Sequence, residues 1–240
     1  MQFDVVVPVL AFQSSDGRLD MTGTEQYAAR AAASWVDHFI VSGSTARGDL
    51  LTPGERASLL DLWLNAVDPT RVLACCWDPT DIIAAVNRNV TPMVVLRTLD
   101  PQKTLKLLAE LPSGSTIYSH PMFDATVFDA VLAGQARADG TLPAGGKLAK
   151  ISLDNIRQIR SAAGDSFRLW DGSSRHIDAS VSAGAAGIVA TPLTTFMDEL
   201  PAKEPAAVQT IVDQVQARLD ALPDRATRTA YLMKQAITVA

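Results

Sequence analysis

The sequence predicts a single (β/α)8 barrel, the TIM-barrel fold, and three observations indicate it. Eight short apolar runs alternate with helical patterns along the 240 residues, as expected for a parallel sheet with helical crossovers. Eight such units at about 30 residues each match the usual size of a closed barrel. The turn after the first run lacks the glycine-rich fingerprint of an open dinucleotide-binding sheet, which is the main structural alternative.

Each predicted strand is a short apolar run that ends in turn or helix-start residues. The runs cover residues 3–9, 38–42, 71–77, 93–97, 115–118, 147–151, 167–170 and 187–191. The helix starts between them carry capping side chains, often before a proline. These starts are Thr52-Pro53-Gly54-Glu55, Asp78-Pro79, Asp100-Pro101, Asp154-Asn155 and Ser173-Ser174.

Two helical patterns follow the eighth strand. Residues 204–222 are amphipathic, and a shorter pattern covers residues 226–240. The apolar face of the first comprises Val208, Ile211, Val212, Val215 and Leu219. We expect residues 1–200 to form the barrel and residues 201–240 to form a short C-terminal helical extension that packs on it within the same domain.

Composition excludes several classes of function. The net charge is −5 and the charges are interspersed, whereas a nucleic-acid partner would call for a basic stripe. No apolar run approaches the roughly 18 residues that span a bilayer, and residues 1–8 do not resemble a signal peptide. We expect a cytoplasmic protein without nucleic-acid or membrane partners.

The cysteines and histidines do not predict a metal site. Cys75 and Cys76 are adjacent in an apolar run, where small buried strand residues are expected rather than a disulfide. The three histidines, His38, His120 and His176, are scattered along the chain. We therefore predict no metal, and two reduced thiols fit a cytoplasmic location.

Polar residues at the strand ends are the candidates for chemistry, because the active site of this fold lies at the C-terminal ends of the strands. The candidates are Ser44, Thr45, Tyr118, His120, Lys150 and Asp171. Lys150 is singled out, because the alternation in residues 147–152 predicts that Leu148 and Lys150 share an inward face near the end of the sixth strand. An uncharged amine in a barrel mouth can form an imine with a ketone. From spacing alone, a solvated lysine such as we expect at Lys147 remains the commoner alternative.

Six segments in order resemble the family of dihydrodipicolinate synthase and N-acetylneuraminate lyase, which are Schiff-base-forming aldolases and lyases of pyruvate. The segments are Asp16-Gly17-Arg18-Leu19-Asp20, residues 35–45 ending in Gly43-Ser44-Thr45, Leu51-Thr52-Pro53-Gly54-Glu55-Arg56, Ile117-Tyr118-Ser119-His120-Pro121, residues 150–156 beginning with Lys150, and Gly184-Ala185-Ala186-Gly187-Ile188-Val189. Together they cover most of the chain, about residues 3 to 195.

The resemblance implies a role for several of these residues. Lys150 would be the Schiff-base lysine, and Tyr118 would transfer protons beside it. Gly43, Ser44 and Thr45 would hold the carboxylate of the 2-oxo acid. Asp171 remains a substrate-binding candidate from its place after the seventh strand. The imine would replace any cofactor, the partners would be a 2-oxo acid and an aldehyde, and a homodimer or homotetramer is implied.

Departures from the family pattern bear on the substrate. Arg47 stands where the family has a glutamate, and it either lies near the site entrance or pairs with Asp49 or Glu55. Phe123 stands where the lysine-biosynthesis enzymes place an arginine, so aspartate semialdehyde is not the expected acceptor. A relay tyrosine is absent after the fourth strand, and His120 either replaces part of the relay or caps the helix that follows.

The leading expectation is a lyase or aldolase that condenses or cleaves its substrate through a lysine-bound enamine of pyruvate or another 2-oxo acid. Two alternatives stay open. One is a binding paralogue that holds a 2-oxo acid without turnover, and the other is a sugar-acid dehydratase or hydratase that uses the same imine.

Overall fold

A computed structural model describes residues 3–13, 18–196 and 203–238. Its centre is a closed barrel of eight parallel strands, in which each strand pairs with the next in the chain and the eighth pairs with the first. The strands are β1 (Asp4–Pro8), β2 (His38–Val41), β3 (Val72–Cys76), β4 (Thr91–Val95), β5 (Thr116–Ser119), β6 (Gly145–Leu148), β7 (Arg168–Asp171) and β8 (Gly187–Val189).

Helices surround the barrel and continue after it. They are α1 (Met21–Ala33), α2 (Pro53–Ala66), α3 (Pro79–Asn87), α4 (Pro101–Glu110), α5 (Ala130–Ala138), α6 (Leu153–Ala163), α7 (Ile177–Ser182), α8 (Pro205–Asp220) and α9 (Arg225–Thr238). The predicted (β/α)8 barrel with a C-terminal helical extension is thus confirmed. The Asp16-Gly17 turn lies outside the described residues.

The helix starts show why local sequence was informative. Thr52 accepts a hydrogen bond from the Glu55 N–H, and the Glu55 side chain accepts one from the Thr52 N–H, which completes a capping box. Asp78 and Asp100 cap α3 and α4 in the same positions that the sequence predicts. The start of α7 was predicted too early, because Ser173 is held in the preceding turn by Asp171.

The position of β6 is the main difference from the sequence prediction. The run was expected at residues 147–151, whereas the strand is Gly145–Leu148. Both glycines are required by close packing: a Cβ on Gly145 would lie 2.5 Å from the Arg168 carbonyl oxygen, and one on Gly146 would lie 2.6 Å from Ile117 Cγ1. A glycine pair reads as a turn in sequence, although here it lets β6 approach its neighbours.

The two faces of β6 are also the reverse of those expected, because Leu148 rather than Lys147 was predicted to point inward, and adjacent side chains of a strand lie on opposite faces. Leu148 packs between the sheet and the helices with Ile117 and Leu169. The opposite face points into the barrel, where Tyr118 and Trp170 belong to the interior cluster. Lys147 pairs with Tyr118 on one side and with Trp170 on the other, and therefore points inward.

The C-terminal helices share the core that the first half of the barrel builds. Val208, Val212 and Leu219 of α8 are buried in the same cluster as residues of the first strands, as the amphipathic pattern predicts. Arg30 of α1 donates hydrogen bonds to the carbonyl oxygens of Ala236 in α9 and Thr195. These contacts fix α8 and α9 against the barrel.

Cys75 and Cys76 are free and buried, as predicted for small strand residues. Burial raises the pKa of the Cys75 thiol to about 12, which leaves it unreactive at neutral pH. Across residues 3–13, 18–196 and 203–238, no cluster of three or more His, Cys, Asp or Glu residues is placed to bind a metal ion. Within the same ranges, no helix has both the length and the apolar character to cross a membrane.

Candidate active site

A cavity of about 490 Å³ opens at the C-terminal ends of the strands, where this fold carries its active sites. Loops after β2, β5, β6, β7 and β8 form one side of it, and α8 and α9 form the other. The lining residues are Ser44, Thr45, Tyr118, His120, Met122, Lys147, Ala149, Lys150, Gly172, Thr191, Gln216, Leu219, Arg225, Arg228, Thr229 and Leu232.

Lys147 is the amine at the base of this cavity. Its residue is 7% exposed, although lysine is rarely buried unless it is paired or functional. Its Nζ lies over the face of the Tyr118 ring, 4.1 Å from the ring centre. The ring quadrupole favours a cation at that distance, so the site holds the amine in a fixed place.

Tyr118 connects this amine to the loop after β2. Its ring is 1% exposed, and its hydroxyl lies 3.0 Å from Ser44 Oγ in a buried hydrogen bond. Phe123 packs edge-on against the ring with 5.2 Å between centroids. The tyrosine is thus oriented by one polar contact and one apolar contact.

The loop after β2 is a short 3₁₀ turn, Ser44–Ala46, with Gly43 before it. The first N–H groups of such a turn have no partner within the turn and point towards its N-terminal end. Ser44 and Thr45 also line the cavity with their hydroxyl-bearing side chains. This arrangement of amides and hydroxyls suits a carboxylate.

His120 lines the cavity and also caps the 3₁₀ turn that follows, since its Nδ1 accepts a hydrogen bond of 2.9 Å from the Met122 N–H. Burial, together with the positive charges of Lys147, Lys150 and Arg225, lowers the pKa of His120 to about 4. The capping role weighed from the sequence is therefore present, and the imidazole is neutral at physiological pH.

The expected position of Lys150 was wrong. It lies beyond the end of β6, is exposed, and has a positive φ of 55°. It contributes to the rim of the cavity rather than to the barrel interior. The buried lysine is instead Lys147, which the sequence had suggested as a solvated one, because β6 ends at Leu148 and its pairing with Tyr118 and Trp170 turns Lys147 towards the barrel interior.

Two further substrate-binding predictions are not matched by the geometry. Asp171 faces away from the cavity and accepts hydrogen bonds from the Ser173 and Ser180 hydroxyls, which anchors the loop after β7. Arg47 pairs with Asp49 at 3.2 Å, is largely exposed, and does not line the cavity. The alternative interpretation of Arg47 as a partner of Asp49 is the observed one.

Three basic residues of the cavity were missed by the sequence interpretation: Lys147, Arg225 and Arg228. The signal for Lys147 was the pair Gly145-Gly146, which places the strand at residues 145–148 when it is taken as strand rather than turn, so that Lys147 is in the strand and Lys150 lies beyond its end. No local signal marks the two arginines, because only the folding of α9 across the barrel mouth brings them to the site.

Comparison with known proteins establishes the fold. No family model matches the sequence, and no curated protein matches it. Among solved structures, the chain is similar to 2-keto 3-deoxygluconate aldolase from Picrophilus torridus, with 16% identity and a TM-score of 0.82 over 98% of this chain and 93% of that chain. It is similar to dihydrodipicolinate synthase from Bacillus anthracis, with 16% identity and a TM-score of 0.80 over 100% and 91% of the two chains.

A third similar structure is dihydrodipicolinate synthase from Cyanidioschyzon merolae with lysine bound, with 20% identity and a TM-score of 0.78 over 98% and 89% of the two chains. The fold that the sequence motifs indicated is therefore shared with aldolases and synthases of this type. Likeness at these identities concerns the fold alone.

Proposed function

We propose that this protein is a Schiff-base-forming lyase or aldolase in which Lys147 forms the imine with a 2-oxo acid. The observation that carries the proposal is the burial of Lys147 on the inner face of β6, with its Nζ against the Tyr118 ring. A lysine held at the base of a cavity at the C-terminal end of the barrel is suited to nucleophilic chemistry. The role expected for Lys150 passes to Lys147.

The first step is condensation. The unprotonated Nζ of Lys147 attacks the ketone carbon of the 2-oxo acid, loss of one water gives the imine, and uptake of one proton on its nitrogen gives the iminium ion. A proton then leaves the adjacent carbon, and the electron pair moves into the imine to give an enamine. The iminium is the electron sink, so this step requires no cofactor.

The second step forms or breaks a carbon–carbon bond. The enamine carbon attacks the aldehyde carbon, the aldehyde oxygen takes a proton, and water hydrolyses the regenerated iminium to release product and free Lys147. The Tyr118 hydroxyl, which is hydrogen-bonded to Ser44, is placed to move these protons. Cleavage is the same sequence in reverse.

The substrate carboxylate binds at the loop after β2 in this proposal. Ser44 and Thr45 line the cavity, and an anion there would accept hydrogen bonds from the free amides of the turn. Position 123 itself offers no cation, since the Phe123 ring packs against both Tyr118 and Trp77. This apolar contact supports an acceptor other than aspartate semialdehyde.

Deuterium exchange tests the proposal directly. Pyruvate is incubated with the protein in D2O, and loss of its methyl signal is followed by NMR, because exchange requires the enamine. We expect exchange with the wild type and with Lys150→Ala, and none above the protein-free rate with Lys147→Met, a variant of similar side-chain length.

The outcomes separate the alternatives. Exchange by Lys147→Met at the wild-type rate would exclude Lys147 as the amine. Imine formation without exchange would favour the binding protein over the enzyme. If the protein exchanges pyruvate and dehydrates a sugar acid but forms no aldol product, the result would favour the dehydratase.

A further inference from the structure

We propose that the substrate of this cavity carries a second anionic group, a carboxylate or a phosphate, which Arg225 and Arg228 of α9 bind. The inference rests on the proposed function, because it takes the imine at Lys147 as the fixed end of the substrate. It names the substrate class as a 2-oxo acid, or its aldol adduct, that is charged at both ends.

Helix α9 forms part of the cavity wall. Arg225, Arg228, Thr229 and Leu232 line the same cavity as Lys147. Arg225 donates a hydrogen bond to the Ser44 carbonyl oxygen, so the first turn of α9 touches the loop proposed to bind the substrate carboxylate. A substrate held by its ketone at Lys147 would therefore extend from the base of the barrel towards α9.

The charge of the cavity is opposite in sign to that of the chain. The chain as a whole is acidic, with a net charge of −5. The cavity lining, by contrast, contains the basic residues Lys150, Arg225 and Arg228 together with Lys147, which is positively charged once it forms the iminium ion, and no aspartate or glutamate. One substrate carboxylate offsets one of these charges, so a singly charged ligand would leave the cavity strongly positive. A dianion matches the lining better.

Among the described residues the two arginines are not bonded to a carboxylate, although the positive charge of Arg228 lowers the pKa of Asp220 and of Asp224 from a greater distance. In the parts of the chain that the structure describes, neither Arg225 nor Arg228 forms an ion pair with a carboxylate. Arg228 donates to the Leu222 carbonyl oxygen at 3.3 Å, and its Nε is buried without a partner among the described residues. An anion in the cavity would supply the acceptors that this guanidinium lacks.

The nearby carboxylates are engaged elsewhere. Asp220, at the end of α8, receives two hydrogen bonds of 2.7 and 2.9 Å from Arg175 and another from Gln216. Asp224 caps α9 through the Thr227 N–H. These contacts hold the α8–α9 turn in place while leaving the arginine side chains on the cavity wall. The turn thus presents two cations opposite Lys147.

Reduction of the imine by borohydride, which traps the bound 2-oxo acid on the protein, tests this inference. The concentration of 2-oxo acid that gives half-maximal capture is determined for pyruvate and for 2-oxoglutarate. In the wild type we expect 2-oxoglutarate to require the lower concentration. In Arg228→Gln and Arg225→Gln the ratio of the two concentrations should shift against 2-oxoglutarate by about tenfold to a hundredfold.

Arg218→Gln is the matched control, because this α8 arginine lies on a different surface from the cavity and its loss changes the net charge equally. The control should keep the wild-type ratio. A ratio that is unchanged in Arg228→Gln and Arg225→Gln would overturn the inference. So would an equal loss for both acids, since the arginines would then bind the carboxylate beside the ketone.

A second measurement does not depend on the imine. Lys147→Met is titrated with glutarate and with 3-phosphonopropionate, and binding is followed by calorimetry. Binding that is lost in Lys147→Met/Arg228→Gln supports the inference even if capture fails, and the tighter ligand identifies carboxylate or phosphate. Absence of binding by both dianions would overturn it, whereas capture of pyruvate on Lys147 would still support the proposed function.

Discussion

Lys147 Nζ lies 4.1 Å from the centre of the Tyr118 ring, and the two residues are direct neighbours in the pairing of β5 with β6. The register of two strands therefore places an amine next to a phenol inside the barrel. The Tyr118 hydroxyl continues to Ser44 at 3.0 Å, so three strand ends contribute to one connected group. The following predictions test what this arrangement does.

Tyr118→Phe should separate imine formation from proton transfer. The ring that packs on Lys147 is kept, while the hydroxyl bonded to Ser44 is lost. We expect capture of pyruvate to persist and deuterium exchange to fall by about 10² to 10⁴-fold, which is the usual contribution of a general acid–base group. Loss of the buried hydrogen bond should lower the free energy of unfolding by about 1 kcal/mol.

Ser44→Ala is the control for that variant. It removes the same hydrogen bond from the other side but leaves the phenol. If the exchange rate falls equally in both variants, the hydroxyl of Tyr118 would act only through its contact with Ser44, and its assignment to proton transfer would be wrong.

Gly145→Ala should destabilise the barrel. The new Cβ would lie 2.5 Å from the Arg168 carbonyl oxygen, so β6 and β7 must separate. We expect a loss of about 1 to 3 kcal/mol in the free energy of unfolding, measured by urea denaturation. Gly54→Ala in α2, where a Cβ meets nothing within 4 Å, should be neutral or stabilising by up to about 1 kcal/mol.

This comparison also tests the register of β6. If Gly145→Ala were as well tolerated as Gly54→Ala, Gly145 would not be packed against β7. The pairing of β6 with β7 would then differ from the one described, and the pairing of Lys147 with Trp170 would no longer support its inward direction.

His120 should titrate with a midpoint near 4 rather than at its usual value of about 6.5. Between these two values the unfolded chain binds a proton at His120 that the folded chain does not. The contribution to stability is therefore full above about pH 6.5 and falls as the pH decreases towards 4. NMR titration of the imidazole checks the midpoint.

Arg225→Gln should raise this midpoint, because the charge of Arg225 is one of the causes that lower the pKa of His120. Arg218→Gln should leave it unchanged. A midpoint near 6.5 in the wild type would contradict both the burial of the imidazole and the positive charge of the cavity.

Asp220→Asn should loosen the turn between α8 and α9. It removes the negative charge and one of the two carboxylate oxygens that accept hydrogen bonds from Arg175, which tie this turn to the loop after β7. We expect faster amide hydrogen exchange at the start of α9, measured by mass spectrometry. Asp154→Asn, which breaks an exposed pair with Arg157 inside α6, should leave exchange in α9 as it is. Unchanged exchange in both variants would mean that the pair does not hold the turn.

The fold could be predicted from sequence because its signals are local. Capping groups such as Thr52 with Glu55 mark the helix starts, and each apolar run overlaps one observed strand. Tyr118 and Ser44 were correctly placed together, because both follow strands that end at the same face of the barrel.

The amine could not be assigned in this way. Whether Lys147 or Lys150 points inward depends on the register and the end of β6, which the close contacts of Gly145 and Gly146 with neighbouring strands help to set. A shift of one residue reverses every side chain of a strand. Arg225 and Arg228 reach the cavity only because α9 folds across the barrel mouth, and that position depends on the path of nearly the whole chain.

The position of the imine tests the central claim most directly. The protein is incubated with pyruvate and borohydride, the intact mass is measured, and the modified peptide is mapped. We expect one adduct on Lys147 in both the wild type and Lys150→Ala, and no adduct in Lys147→Met. The adduct should add the mass of pyruvic acid less one oxygen atom. An adduct on Lys150, or equal capture by Lys147→Met, would contradict it.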